Sequence, residues 1–391
     1  MSIVTSKVDG KNITLYFNGR VDTSNAAEVE TLVFEALNGD FENVTLDADA
    51  LEYISSAGLR VVLKIRKQNP TLKIINASPD VYDIFEMTGF SEMIPVEKAF
   101  RKLSVDGCTV IGKGAKGSVY RYNEDTIIKV YISNDCLDTI KRERELARKA
   151  FVLGIPTAIS YDIVKVGENY GSVFELLNAK SYSQLMSEEP ENVEKYAANY
   201  ADLLKTIHGT QVKAEDMPDV KDLIYKWTAA VEQFVTPEQY AKIKGLVDNT
   251  PNTLNMIHGD YHTNNVMMQN GETLLIDMDT LSHGHPIFEL ANVYFTYVGF
   301  LEIDQSNVES FLGITAEQSQ KVWDVFIKRY LDTDDAARIQ DVTQKARLLS
   351  DIRIIRHTFR RQGKTDESMA VINKCTNDIT KLLSNIDTLE F

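Results

Sequence analysis

The stretch from Ile257 to Asp279 constrains this chain more than any other. Ile257-His258-Gly259-Asp260 reads as a strand end running into a tight loop. A short strand, a turn at Asn270-Gly271 and an apolar strand ending at Asp277 and Asp279 follow. Two strands joined by a two-residue turn lie side by side, so the loop before the first approaches the end of the second. That places Asp260, Asn265 and Asp277 near one another. All three offer hard oxygen atoms. A loop carboxylate at Asp260 can orient a hydroxyl and accept its proton. The amide of Asn265 and the carboxylate of Asp277 can hold magnesium against nucleotide phosphates, in the order that phosphoryl transfer uses. Each piece alone reads as a polar turn or a solvated strand end. Their joint appearance, downstream of a glycine loop and a lysine, carries the reading.

That glycine loop is Gly112, Gly114 and Gly117, spaced Gly-x-Gly-x-x-Gly. Dinucleotide-binding folds use the same spacing but open a helix directly after it. Here Ser118-Val119-Tyr120-Arg121-Tyr122 is β-rich and runs to a turn at Asn123-Glu124-Asp125. Strand, glycine loop, strand is the arrangement in which backbone amides cover nucleotide phosphates. The next strand, Thr126 to Tyr131, holds one lysine, Lys129, among apolar neighbours, and a charge on a buried strand needs a partner. The following helix, 138–153, offers Glu143, beside the apolar face of Leu146, Ala147 and Ala150. Glu145 is the alternative, about 200° around the helix. Lys129 is expected to grip the α- and β-phosphates and Glu143 to hold Lys129.

On these motifs the chain, from about Leu103 to its C-terminus, resembles the aminoglycoside phosphotransferase and choline kinase superfamily. Those enzymes share the protein-kinase-like fold and carry His-Gly-Asp in the catalytic loop. The resemblance implies a bilobal α+β domain with a helical C-terminal subdomain, using ATP or GTP with Mg2+. It also implies a hinge in which backbone groups near Glu175 and Leu177 meet the base. Glu289-Leu290-Ala291 stands where the family usually has Asp-Leu-Ala, a carboxylate that braces the catalytic loop. No long activation segment separates Asp277 from Phe288, which favours a small hydroxyl-bearing acceptor over a peptide. His258 is expected to orient the loop. His208 reads as a helix C-terminal residue without a catalytic role. Asp279 is open to a second metal-related role or a structural one.

The first hundred residues alternate strand and helix, the pattern of a small α/β domain. Ile13 to Phe17, Val44 to Leu46 and Leu72 to Ile75 read as strands. Asn25 to Glu28 reads as a capping box, and Ser78-Pro79 as a helix start. The phrases Gly19 to Thr23, Tyr53 to Arg60 and Asn76 to Pro79 resemble the STAS domain, the anti-sigma factor antagonist fold. By that resemblance Ser56, at a helix N-terminus suited to phosphate, is the candidate phosphoacceptor, with Ser55 where the family often has aspartate. Plain helix capping by both serines is the alternative. A protein partner, with or without phosphorylation, is expected.

The expected domains are therefore 1–98 (STAS-like), 99–107 (linker), 108–177 (N-lobe) and 178–391 (C-lobe). The net charge of −15 argues against nucleic-acid or anionic-membrane binding. No apolar run spans a bilayer, and three scattered cysteines suit a reducing, cytoplasmic setting. Helices are expected over 191–208, 219–248, 316–331, 334–361 and 370–383. Arg353, Arg356, Arg360 and Arg361 cluster in one of them, as a solvated basic face or as a site for a phosphate or carboxylate. Glu302, Asp304 and Glu309 would suit an amine instead. Three functions follow: a small-molecule phosphotransferase coupled to a STAS domain; a signalling kinase acting on a serine such as Ser56; and a nucleotide sensor.

Overall fold

A computed structural model describes residues 2–114, 116–133 and 136–391; Ala115, inside the glycine loop, lies outside the described residues. The chain forms two compact units, Met1–Ser104 with Ile163–Glu168, and Val105–Asp162 with Asn169–Phe391. Among the described residues no helix is long and apolar enough to cross a membrane.

In the first unit, β1 (Val4–Asp9), β2 (Asn12–Phe17), β3 (Gly19–Val21), α1 (Ala26–Ala36), β4 (Asn43–Asp47) and β5 (Leu51–Ile54) lead to α2 (Ser56–Gln68). Then come β6 (Lys73–Ala77), α3 (Pro79–Met87), the single turn α4 (Phe90–Met93), β7 (Val96–Lys98) and β8 (Arg101–Leu103). The main sheet runs β1-β2-β4-β6-β7, with β2, β4, β6 and β7 parallel. Along β2 the alternate residues Ile13, Leu15 and Phe17 are buried, and α2 lays Leu59, Val62 and Ile65 onto the same core. The capping box at Asn25 is not formed. Its side chain instead accepts from the Asp22 backbone amide at 2.8 Å and donates to the Arg20 carbonyl at 2.8 Å, closing the preceding turn.

The second unit opens with β9 (Thr109–Gly114), β10 (Gly117–Arg121), β11 (Thr126–Tyr131), α5 (Leu137–Val152), β12 (Asp162–Val166) and β13 (Asn169–Glu175). Its antiparallel neighbours run β13-β11-β10-β9. Within the first unit, residues 164–166 of β12 run parallel to β8, so the stretch read as a linker contains a strand. Gly117 has no substitute where it stands: an added Cβ would lie 2.1 Å from the Val130 carbonyl oxygen.

The helical part follows as β14 (Lys180–Ser181), α6 (Tyr182–Glu188), α7 (Val193–Gly209), α8 (Lys221–Val231) and α9 (Pro237–Asn249). Next come β15 (Met256–Ile257), β16 (Val266–Gln269), β17 (Glu272–Leu275), β18 (Ser282–His283) and α10 (Ile287–Tyr294), which passes through a π-helical turn, Phe295–Gly299. The last helices are α11 (Phe300–Ile303), α12 (Ser306–Leu312), α13 (Ala316–Leu331), α14 (Ala336–Gln362) and α15 (Asp366–Leu383). β16 and β17 pair across the Asn270-Gly271 turn, whose residues have φ of 52° and 84° as a primed hairpin turn requires. α7 buries Tyr196, Ala197, Tyr200, Leu204 and Ile207 as one stripe in the core. Tyr200 stacks on Tyr261 at 4.3 Å between ring centroids. Each hydroxyl donates to the other residue's carbonyl, at 2.8 and 2.7 Å. This doubly tied pair anchors the loop after β15 to α7.

Candidate active site

The loop after β15 is built around a buried carboxylate. Glu289, at the start of α10 and fully buried, accepts from the backbone amides of His258 at 2.6 Å and Gly259 at 2.7 Å. Those two amides would otherwise be unpaired inside the protein, so the contact both satisfies them and fixes the loop. His208 adds its Nε2 at 3.3 Å from Glu289, and its Nδ1 lies 2.7 Å from the Tyr330 hydroxyl. His208 therefore supports the loop through Glu289, a role its position at the end of α7 did not indicate. Gly259 has φ +85°, and a Cβ there would stand 2.5 Å from the Thr280 carbonyl oxygen. The Thr280 hydroxyl donates to the His258 carbonyl at 2.7 Å.

On this frame Asp260 projects into a cleft of about 630 Å³ that is also lined by Lys129, Glu143, Asn265 and Asp277. Gly112, Gly114 and Gly117 of β9 and β10 line the same cleft, as do Glu175 and Leu177. The residues singled out in the second unit therefore face one space. Ser56 belongs to the first unit. It is exposed as the first residue of α2, while the Ser55 hydroxyl caps that helix by accepting from the Gly58 amide at 3.4 Å.

Lys129 sits between two carboxylates, Glu143 Oε1 at 2.9 Å and Asp277 Oδ1 at 3.1 Å. Burial disfavours its charge, but the charges of Glu143 and Asp277 outweigh that and raise its pKa. Glu143 is buried, and its second oxygen accepts from the Tyr131 hydroxyl at 3.1 Å; that hydroxyl also lies 3.2 Å from Ser172 Oγ. Glu145, the alternative partner, pairs instead with Arg148 on the exposed side of α5. Asp279 pairs with Lys116 in the glycine loop, which makes it an ion-pair partner across the cleft.

Burial alone would raise the Asp260 pKa. The hydrogen bond and charge of His262, then the charges of Arg353 and His258, overcome that and hold it down at about 2. His262 Nε2 lies 3.5 Å from Asp260 Oδ2. Asp260 is thus ionised throughout the neutral range, a good orienter of a hydroxyl and a weak base. His258 is fully buried and shifted toward neutrality, chiefly by that burial, and its Nδ1 accepts from the Asp260 amide at 3.3 Å.

The magnesium expectation fits the donor set. Asn265 commits its Nδ2 to the Asp260 carbonyl at 3.0 Å, and among the described residues no donor is bonded to its oxygen. Asp277, at φ 62°, has turned out of the strand direction, and its second oxygen is likewise unbonded among the described residues. One amide oxygen and one carboxylate suit magnesium, which keeps waters and phosphates as its remaining ligands. Among the described residues no cluster of three histidine, cysteine or acidic side chains offers a competing metal site.

Beyond Asp260 a second cavity of about 540 Å³ opens, sharing Asp260, His262 and Phe311 with the first. Phe295 and Phe300 form part of its wall, and Arg353, His357 and Arg361 of α14 also line it. Arg353 donates to Asn292 Oδ1 at 2.7 Å, and Asn292 Nδ2 donates to the Gly259 carbonyl at 3.1 Å. This chain ties the far cavity to the catalytic loop. It went unread because Asn292 and Arg353 belong to helices distant in sequence, with no shared local pattern.

Comparison with known proteins assigns both parts of the chain to families. The profile described as Phosphotransferase enzyme family matches residues 107–324, and the STAS domain profile matches residues 3–103. Over 100 residues, a quarter of this chain and 85% of the relative, the chain is 36% identical to BtrV of Bordetella bronchiseptica, a candidate anti-sigma factor antagonist. Among solved structures, the gentamicin complex of APH(2")-IIa is similar over 76% of this chain and 95% of its own, with 17% identity and a TM-score of 0.43. A choline/ethanolamine kinase family protein from Mesorhizobium loti is similar over 71% and 88%, with 12% identity and a TM-score of 0.43.

Proposed function

Since this chain belongs to the Phosphotransferase enzyme family and carries a STAS domain ahead of that part, we propose that it transfers the terminal phosphate of ATP or GTP to the hydroxyl of a small molecule. The observation that carries the reading is the convergence of Asp260, Asn265, Asp277 and the Lys129–Glu143 pair on one cleft. In the reaction a bond forms between the acceptor oxygen and the γ-phosphorus, and the bond from that phosphorus to the β–γ bridging oxygen breaks. The hydroxyl proton passes to Asp260 and from there to solvent. Magnesium, when bound, neutralises phosphate charge. Asn265 and Asp277 would hold it. Lys129, positioned by Glu143, meets the α- and β-phosphates, and the amides of the β9–β10 loop cover them. A carboxylate held at about 2 accepts the proton late, so Asp260 contributes mainly by aiming the hydroxyl.

The STAS domain is read as a regulatory, partner-binding unit, with Ser56 exposed at a helix start where a phosphate would meet free amides. Steady-state consumption of magnesium ATP by the full chain and its Asp260→Asn variant tests the catalytic reading. We expect turnover to drop by about 10²- to 10⁴-fold in the variant. Equal turnover in the two proteins would dispose of it.

A further inference from the structure

The second cavity has a charge pattern that bears on the acceptor. Arg353 and Arg361 face it from α14 together with His357. Among the described residues neither arginine forms an ion pair, and the hydrogen-bond partner of Arg353 is the neutral amide of Asn292. Among the described residues, Asp260 is the one acidic residue lining that space. Two acidic residues nearby in sequence, Glu302 and Asp304, have partners of their own. Glu302 pairs with Arg347 and Lys374, and the Asp304 carboxylate accepts from the Ser306 amide at 2.9 Å.

A plain solvated basic face accounts for the exposed Arg360 and for part of Arg361, since cations suit the last turn of a helix. It does not account for Arg353, which lies more than two turns inside α14. The Arg353 guanidinium is half-buried, 4.3 Å from the Phe295 ring centroid and 5.3 Å from that of Trp227. Burial and then the neighbouring arginines hold His357 toward its neutral form, and burial lowers Arg353 to about 10. The charges of Asp260 and Glu289 act against that fall in Arg353.

We infer that the acceptor is a small hydroxyl compound bearing a phosphate or carboxylate, its anionic group held by Arg353 and Arg361 and its hydroxyl turned toward Asp260. The inference rests on the phosphotransferase reading for the role of Asp260. The charge logic is direct. An anionic acceptor must approach the Asp260 carboxylate and the nucleotide phosphates, and the cations lining the second cavity offset that repulsion. A cationic acceptor would meet two guanidiniums there. The rings of Phe295, Phe300 and Phe311 add an apolar part to the cavity lining.

A ladder of charge on one scaffold tests this. The full chain, saturated with ADP and magnesium, is titrated calorimetrically with glucose 6-phosphate, gluconate, glucose and glucosamine. Affinity is expected to fall in that order, with at least about tenfold between the phosphate and glucose, and the gap should narrow as salt rises. Preference for glucose 6-phosphate over gluconate would identify phosphate as the recognised group, and the reverse would identify carboxylate. Arg361→Glu, at an exposed position, should flatten the ladder by about tenfold, and Arg353→Met should do so more strongly. A flat or inverted ladder in the wild type, or no binding of any probe up to about 10 mM, overturns the inference. Magnesium ATP hydrolysis is measured on the same preparations with the Asp260→Asn control. Asp260-dependent hydrolysis with a flat ladder removes the anionic acceptor alone. A steep ladder without such hydrolysis removes the phosphotransfer reading and leaves an anion-binding pocket.

Discussion

The two ends of the cleft differ in how their charges are settled. At the glycine-loop end two lysines are paired, Lys129 with Glu143 and Asp277 and Lys116 with Asp279, while Lys113 and Arg144 line the same cleft without an ion pair among the described residues. At the α14 end, Arg361 forms no ion pair among the described residues, and Arg353 is bonded to the neutral Asn292 amide with the charge of Asp260 acting on it without a direct contact. Paired charges hold a geometry ready before any ligand arrives. Unpaired charges store attraction that a ligand releases when it binds. On the proposed function the first end takes the nucleotide and the second the acceptor.

The largest effect that would sharpen this contrast concerns Lys129. Lys129→Met leaves Glu143 a buried carboxylate with only Tyr131 beside it, and stability is expected to fall by about 3 kcal/mol. Replacing both, Lys129→Met with Glu143→Leu, should recover most of that loss in chemical denaturation while turnover stays abolished. If the double variant is as unstable as the single one, the pair does not act as a unit. Next comes Glu289→Ala, which leaves the His258 and Gly259 amides buried and unpaired. The expected cost is on the order of 3 kcal/mol, read from denaturation midpoints. Glu289→Gln keeps one acceptor and should cost about half as much.

A smaller effect concerns α14. Asp351 in α14 is buried with Arg347 3.9 Å away, and its pKa is pushed up to about 8, first by burial and then by Glu302 and Asp378 against the pull of Arg347. The unfolded chain titrates this carboxyl near 3.8. The folded state thus holds the proton more tightly, and stability falls as pH rises from about 4 to about 8 and levels off above that. Asp351→Asn should remove this slope, so its gain in melting temperature over the wild type should be a few degrees larger at pH 8 than at pH 5. An equal difference at both pH values would mean the carboxyl is not held protonated.

Where local periodicity and turn chemistry govern, the sequence was a sufficient guide. β11 and α13 occupy the expected residues, because a lone lysine in a β-rich run and a Thr315 cap before an amphipathic stripe leave little choice. Choosing Glu143 over Glu145 needed only the helical period, since the buried face of α5 is set by Leu146, Ala147 and Ala150. β1 escaped notice because only Val4 of its six residues is buried, so it shows no alternation. The supports of the catalytic loop were hidden for a different reason. The Glu289–His208–Tyr330 chain, the reciprocal Tyr200–Tyr261 pair and the Asn292–Arg353 contact each join side chains far apart in sequence. Such pairings are products of packing, and no local pattern encodes them. The Asn25 capping box failed in the opposite way, through a nearer competitor, the Asp22 amide.

The most direct test of the account is nucleotide titration into the full-length wild type, Asp260→Asn and Asp277→Ala, each with and without magnesium. With magnesium, wild type and Asp260→Asn should bind ATP or GTP within about threefold of each other. Asp277→Ala should lose at least about tenfold in affinity and most of its response to the metal. Nucleotide binding that ignores both magnesium and Asp277 would contradict the reading of this cleft as a magnesium-nucleotide site.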